Sequence, residues 1–245
     1  MKITIVCEKN FLMESEEGKR AYPEGMDNCL ASVFRAAGHE TALVRAGEDG
    51  VPDLDDALLE STDVLVWWAH VHHGAVADDI VEKAAMRVLR GMGLIVLHSA
   101  HFSKIFKRLL GTSCSLTWRE DGELERLWCV DPAHPVARGL GGFIDIPQEE
   151  MYGEPFDIPV PDELVYVGWF EGGEVFRGGC VFNRGRGRIF YFNPGHETYP
   201  TYHIPAVRRL LVQAAEYVAP RGGISGPIAC RHNDDFSVPV RGAKG

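Results

Sequence analysis

Two hydrophobic periods alternate along the first 110 or so residues. Short apolar runs at Lys2–Cys7, Thr41–Val44, Thr62–Trp68 and Leu94–Leu97 read as strands. The run Leu94–Leu97, introduced by Gly91 and Gly93, has no polar face and reads as a strand buried on both sides in a parallel sheet. Helical spacing fills the gaps. Leu30, Val33, Phe34 and Ala37 form one apolar stripe, opened by Asn28 as a cap and ended by Gly38. Asp53–Glu60 is a short helix, and Ala77–Arg90 turns Ile80, Val81, Ala84, Ala85, Val88 and Leu89 inward. Phe102–Leu110 resumes the period after the turn His98-Ser99-Ala100-His101. Strand and helix in alternation predict a parallel sheet with crossover connections.

Beyond residue 110 the pattern changes. Leu116–Arg119 and Leu124–Val130, joined through Asp121-Gly122, predict an antiparallel hairpin. Prolines and glycines then break regularity until Leu164–Trp169, another strand. Val175–Phe182 and Arg188–Phe192 flank Arg184-Gly185-Arg186-Gly187 and predict a second hairpin. That tip fits a turn better than an RNA contact. Val207, Leu210, Leu211, Ala214 and Val218 mark a last helix. The expectation is one α/β domain over residues 1–220, and a poorly ordered tail, rich in Gly, Pro and polar residues, over 221–245.

Composition narrows the function classes. A formal net charge of -10 argues against binding nucleic-acid backbone. The first residues lack a signal-peptide pattern and no apolar run reaches membrane-spanning length, so a cytoplasmic protein without a membrane partner is expected. The six cysteines are scattered, with no Cys-x-x-Cys pair, as suits reduced and mostly buried thiols.

Histidine carries the candidate chemistry. Seven of the ten histidines (His70, His72, His73, His98, His101, His196 and His203) lie in or near turns that follow strands. If those strands run parallel, their carboxyl ends share one sheet edge, where open α/β sheets bind ligands. Converging imidazoles with a carboxylate would suit a divalent metal, zinc first. His196-Glu197 suits a base with its orienting carboxylate. His98 ends the apolar strand, and Ser99 stands where an activated nucleophile would sit, though the Gly-x-Ser-x-Gly elbow is absent. In Glu149–Glu154, read as a loop, Glu150 and Tyr152 are binding candidates. Trp68 and Tyr199 could stack on a sugar ring.

In combination, Trp67-Trp68-Ala69-His70, Gly91–Phe102, Glu149–Glu154, Trp169–Glu174 and Pro194–Pro200 resemble the trehalose-utilisation (ThuA-like) family over about residues 2–219. That resemblance implies a flavodoxin-like three-layer sandwich of the class I glutamine-amidotransferase-like type, mostly parallel with added antiparallel hairpins. It differs from amidotransferases proper in having His98-Ser99-Ala100, and no cysteine, at the elbow. The implied activity is breakdown of trehalose or a related disaccharide, after oxidation to a 3-keto sugar by a partner dehydrogenase. On this reading His196 is the base oriented by Glu197, His70, His98 and His101 hold metal or stabilise charge, and Trp68, Glu150, Tyr152 and Tyr199 contact sugar. A homo-oligomer is expected from its aromatics. The alternatives are a non-catalytic sugar- or metal-binding protein and a hydrolase built on Ser99.

Overall fold

The computed structural model describes residues 1–222. Nine strands form one sheet: β1 (Lys2–Glu8), β2 (Glu40–Ala46), β3 (Val64–Trp68), β4 (Gly93–Leu97), β5 (Thr117–Cys129), β6 (Phe143–Gly153), β7 (Glu163–Phe170), β8 (Val175–Arg184) and β9 (Gly187–Phe192). Their order across the sheet is β2-β1-β3-β4-β9-β8-β7-β5-β6. From β2 to β9 every pairing is parallel, and from β9 onward every pairing is antiparallel.

Strand alternation sends successive side chains to opposite faces, and both faces are buried. Ile3, Ile5, Val64, Val66, Trp68, Ile95, Leu97, Phe190 and Phe192 pack on one side. Their partners there come from α2 (Met26–Ala36) and α6 (Pro205–Val218). Val6, Leu65, Trp67, Leu94, Val96, Ile189 and Tyr191 pack on the other. They meet α3 (Asp56–Ser61), α4 (Asp78–Arg90) and α5 (Lys104–Leu110). Three layers follow from this double burial, as the sequence predicts. The five described cysteines are free thiols, and Cys230 lies outside the described residues.

Local chemistry moved several boundaries. A short helix, α1 (Glu16–Ala21), forms between β1 and α2, because the Ser15 side chain accepts from the Gly18 N–H at its start. Helix α2 begins after Gly25 instead of at Asn28, whose amide bonds the Glu24 carbonyl. The expected Phe102–Leu110 helix splits: His98–Phe102 is a 3-10 turn, and Ser103 caps α5. The expected tail lies outside the described residues apart from Arg221 and Gly222.

The larger correction concerns residues 116–163. Leu116–Arg119 and Leu124–Val130 do not make a hairpin. They belong to one long strand, β5, whose register shifts between Arg119 and Glu125 absorb Asp121-Gly122. Its partner is β6, in a stretch where the sequence pattern predicts irregular chain. In a flat sheet, four strand spacings of about 4.8 Å would hold β6 about 19 Å from β9. Yet Tyr152 at the end of β6 stacks on His98 after β4, with ring centroids 5.2 Å apart. The bulged extension therefore curls back over the parallel strands.

The Arg-Gly tip between β8 and β9 packs on α4: a Cβ at Gly187 would lie 2.1 Å from the Val88 carbonyl oxygen. Gly187→Ala is expected to cost about 1–3 kcal/mol in urea unfolding, since helix backbone cannot turn aside. Gly142→Ala, with nothing within 4 Å, should stay within about 0.5 kcal/mol of the parent. Equal stabilities of the two variants would refute this packing argument.

On β5, Glu125 is fully buried, with one oxygen accepting from Asn193 Nδ2 at 2.9 Å and the other without a partner. Burial, reinforced by the charge of Glu149, pushes its carboxyl well above the usual range. The folded chain thus keeps a proton that the unfolded chain releases above about pH 4.5, and stability falls as pH rises from there. Glu125→Gln lacks that loss. Its stability relative to the parent should climb between about pH 5 and pH 7, and a flat difference in urea titrations would refute the buried proton.

Candidate metal centre

Four strands of one polarity deliver their ends to one rim. Glu8 closes β1, His70 follows β3, His98 follows β4, and His196 follows β9. The switch in connection order falls between β1 and β3, where chain leaving β1 and β3 diverges and opens a crevice. β6 runs in the same sense and brings Glu149, Glu150 and Tyr152 to this rim, while the opposed β5 brings its first residues, Trp118 and Glu120.

At the centre, one ligand atom from each of His70, His98, Glu150 and His196 lies within 4.8 Å of all the others. The three imidazole rings meet edge to face, with centroids 5.1–5.4 Å apart. Glu150 Oε2 stands 3.2 Å from His98 Nε2. Among the described residues this is the single cluster of this kind.

Each ring is held by its other edge. His98 Nδ1 lies 3.1 Å from the Asn193 carbonyl, which can only accept, so the proton sits on Nδ1 and Nε2 faces the cluster. His70 Nδ1 donates to both oxygens of Glu197 at 2.9 Å, and Asn10 donates to the same carboxylate. These partners are what metal-binding histidines characteristically have. His196 Nδ1 stands 2.8 Å from Thr198 Oγ1 and donates to it in the tautomer that leaves Nε2 free toward the cluster.

Two more buried carboxylates hold the backbone. Glu8 accepts from the N–H groups of His70, Val71 and His72, and from Asn10. Glu149 accepts from Gly195, His196, Glu150 and Thr201. Gly195 is obligatory: its φ is +133°, and a Cβ there would meet the Tyr202 hydroxyl at 1.9 Å. Trp68 Nε1 donates to the Gly195 carbonyl, which fixes the same loop from below.

The charges are coupled. Burial opposes charging of His98, but the Glu150 carboxylate beside it outweighs burial and lifts its pKa above the ordinary value. Burial and the charge on His98 lower His196 to about 4, so its imidazole is neutral near pH 7. Burial works against ionised Glu197, yet the bond from His70 brings it down to about 2. Glu150 Oε2 and His196 Nε2 are buried without hydrogen-bond partners. Converging, orphaned donor atoms backed by oriented rings fit a divalent cation, and this quartet could hold one.

Not every candidate residue joins the quartet. Glu197 orients His70, and lies 3.7 Å from His196 Nε2 without a hydrogen bond, so the expected His196–Glu197 dyad is replaced by His70–Glu197. His101, expected as a ligand, gives Nδ1 to the Cys114 carbonyl at 2.7 Å and stands outside the four donors. Burial lowers its pKa to about 3. Ser99 Oγ touches the Tyr152 hydroxyl at 2.9 Å, and no hydrogen bond links it to a histidine or carboxylate. Trp68 is fully buried and stacks on His98, so it has no face free for a sugar. Tyr199 packs beside His196. A cavity of about 470 Å³ opens over the cluster, and its wall includes His70, Ser99, His101, Glu150 and Tyr152.

Sequence reasoning missed Glu8, Asn10, Glu120, Glu125 and Asn193. Glu120, on the cavity wall, lies 3.6 Å from His196 Nε2. Burial, and then the charge of Glu150, raise its carboxyl.

His98 occupies the elbow itself. Its φ is +53°, in the left-handed region that side chains with a Cβ rarely adopt, at the strand-to-helix turn where nucleophile elbows occur. An imidazole therefore stands where a thiolate or alkoxide nucleophile would.

No curated protein sequence matches the chain. Among solved structures, a candidate ThuA-like protein from Parabacteroides merdae is 16% identical, with a TM-score of 0.67 over 93% of this chain and 92% of that one. Another, from Bacteroides uniformis, is 15% identical with a TM-score of 0.64 over 89% and 91%. A candidate GMP synthase component from Thermoplasma acidophilum shares the amidotransferase-like fold, at 13% identity and a TM-score of 0.50 over 89% and 95%. The family model described as "Trehalose utilisation" matches residues 13–218, and the chain belongs to that ThuA family.

Proposed function

We propose that this protein is a cytoplasmic, metal-dependent enzyme of carbohydrate breakdown that cleaves a keto-glycoside, such as a 3-keto disaccharide of the trehalose type. The observation that carries this reading is the donor quartet, whose ring nitrogens are held from behind and whose cavity opens beside Glu120. His70, His98, His196 and Glu150 would hold the cation, and three imidazoles with one carboxylate favour zinc. When bound, the cation supplies Lewis acidity toward oxygens of a ketone or its enediolate.

The chain's own residues do the rest. A ketone at C3 acidifies the hydrogen at C2. Glu120, raised by burial, takes that proton, the electron pair expels the oxygen substituent from C1, and Glu120 returns the proton to it. Ser99 and Tyr152 hydroxyls offer hydrogen bonds to sugar hydroxyls. His101, neutral and with Nδ1 committed to Cys114, presents Nε2 as an acceptor. A sugar dehydrogenase would supply the ketone. Among the described residues Ser99 has no direct hydrogen bond to a base, its link to His98 running through the Tyr152 hydroxyl, which disfavours the serine-hydrolase alternative.

Metal analysis of the purified protein is expected to find about one zinc per chain. His98→Ala and Glu150→Gln should lose it. Glu197→Gln should weaken zinc binding roughly 10–100-fold while leaving all four donors in place. His101→Ala should bind zinc like the parent. Zinc bound equally by all these variants, or by none including the parent, would overturn the metal centre.

Incubation with 3-ketotrehalose should show turnover that a chelator stops and added zinc restores. Glu120→Gln is expected to lower kcat roughly 10²–10⁴-fold with zinc content unchanged. Full activity in Glu120→Gln would remove it from the proton transfer, and turnover indifferent to chelator would remove the metal.

A further inference from the structure

The cavity over the quartet has two unlike halves. Its floor is polar, made by His70, Glu150, Ser99, Tyr152 and His101. Its outer wall is formed by Phe11, Leu12, Val71, Phe102, Leu116 and Trp118. Trp118 is 64% and Phe11 70% exposed, and Val71 and Phe102 are also open to solvent. Large apolar side chains left in water around one concave mouth mark a binding surface more often than chance exposure. The wall is also anchored: Lys107 Nζ sits over the Phe102 ring, 3.0 Å from its centroid.

A hexose ring presents hydroxyls around its whole rim, and each needs a partner when it leaves water. The floor can satisfy one such ring. The outer wall serves a second less well, because beyond His73, Ser115, Glu120 and the Trp118 N–H its side chains are apolar. Charge gives an independent restriction. Among the described residues no lysine or arginine lines the cavity, and the nearby Lys107 ammonium is engaged with the Phe102 ring, whereas Glu120 and Glu150 line it, so a phosphate or carboxylate on the outer half would meet mostly apolar surface and like charge.

We infer that the substrate is a neutral glycoside whose second half is apolar, an aromatic aglycone stacked on Trp118 with Phe11 and Phe102 around it, in preference to a second sugar or a sugar phosphate. This rests on the carbohydrate reading above and specifies the leaving group. The volume of about 470 Å³ is within the range of pockets that enclose such small ligands.

The test is calorimetric binding of three unoxidised probes, phenyl β-D-glucoside, trehalose and trehalose 6-phosphate, to the full-length, zinc-supplemented protein. Phenyl glucoside should bind at least about ten-fold more tightly than trehalose, and the phosphate no more tightly than trehalose. Trp118→Ala should remove most of the phenyl glucoside advantage and leave trehalose affinity within about two-fold. Phe11→Ala, at an equally exposed position, repeats the test should Trp118→Ala fold poorly. Trehalose or its phosphate binding as well as phenyl glucoside would overturn the aglycone assignment alone, as would equal weakening of both sugars in Trp118→Ala. Failure of all three probes to bind would overturn the carbohydrate reading and this inference with it.

Discussion

Glu8, Glu149, Glu150 and Glu197 are buried carboxylates crowded under one sheet rim, with three imidazoles among them. Removing so many ionisable groups from water is costly unless each acquires donors or an opposite charge. The structure answers with a strict division. Glu8 and Glu149 are saturated by backbone N–H groups of the loops that carry His70 and His196. Glu197 is saturated by His70 and Asn10. Glu150 alone turns an unsatisfied oxygen toward the histidines. The same desolvation that would destabilise an unpaired cluster suits the site to a cation, because a proton or a metal would relieve it. The Glu150 carboxylate favours a proton on His98, and burial beside His98 disfavours one on His196.

This balance sets what the fold must provide. Parallel strands β1, β3, β4 and β9 bring Glu8, His70, His98 and His196 to one rim by topology alone. Glu149 and Glu150 come from the far edge, and they arrive only because β5 is bulged and the antiparallel extension curls. Glu149 and Glu150 thus depend on an irregularity in a strand, and bulges commonly serve to aim side chains at functional sites.

That distinction explains what the sequence revealed. The parallel half was legible because its strands are apolar on both faces and its histidines fall just beyond their ends, so His70, His98 and His196 were recognisable as a convergent set. The extension was not. β5 reads Arg-Glu-Asp-Gly-Glu-Leu-Glu, charge enough to suggest a turn, and pairing with β6, joined by β7 from Glu125, keeps it extended. Glu149-Glu150 read as a solvated charge run for the same reason: local composition favours water, and burial is imposed by Gly195, His196 and Thr201 from 45 or more residues away. Roles within the set were equally hidden. Adjacency suggested that Glu197 serves His196, whereas the turn between them points the carboxylate at His70. The signal that could have found Glu8 was its position, a lone acid ending an apolar strand.

His98 shows how one fold is turned to other chemistry. A strained turn at the end of the central strand projects a side chain from the backbone with little freedom, which suits any group that must act at a fixed point. With a thiol there, the strain would serve nucleophilic attack. With an imidazole whose Nδ1 is tied to Asn193, the same geometry turns Nε2 toward the cluster instead, and the hydroxyl next in sequence is tied to the Tyr152 hydroxyl. A histidine at the elbow leaves no nucleophile at that position and offers a ring nitrogen to the quartet that could hold a cation. On the reading proposed above, a cation held there would polarise oxygens, which suits cleavage beside a ketone and not acyl transfer.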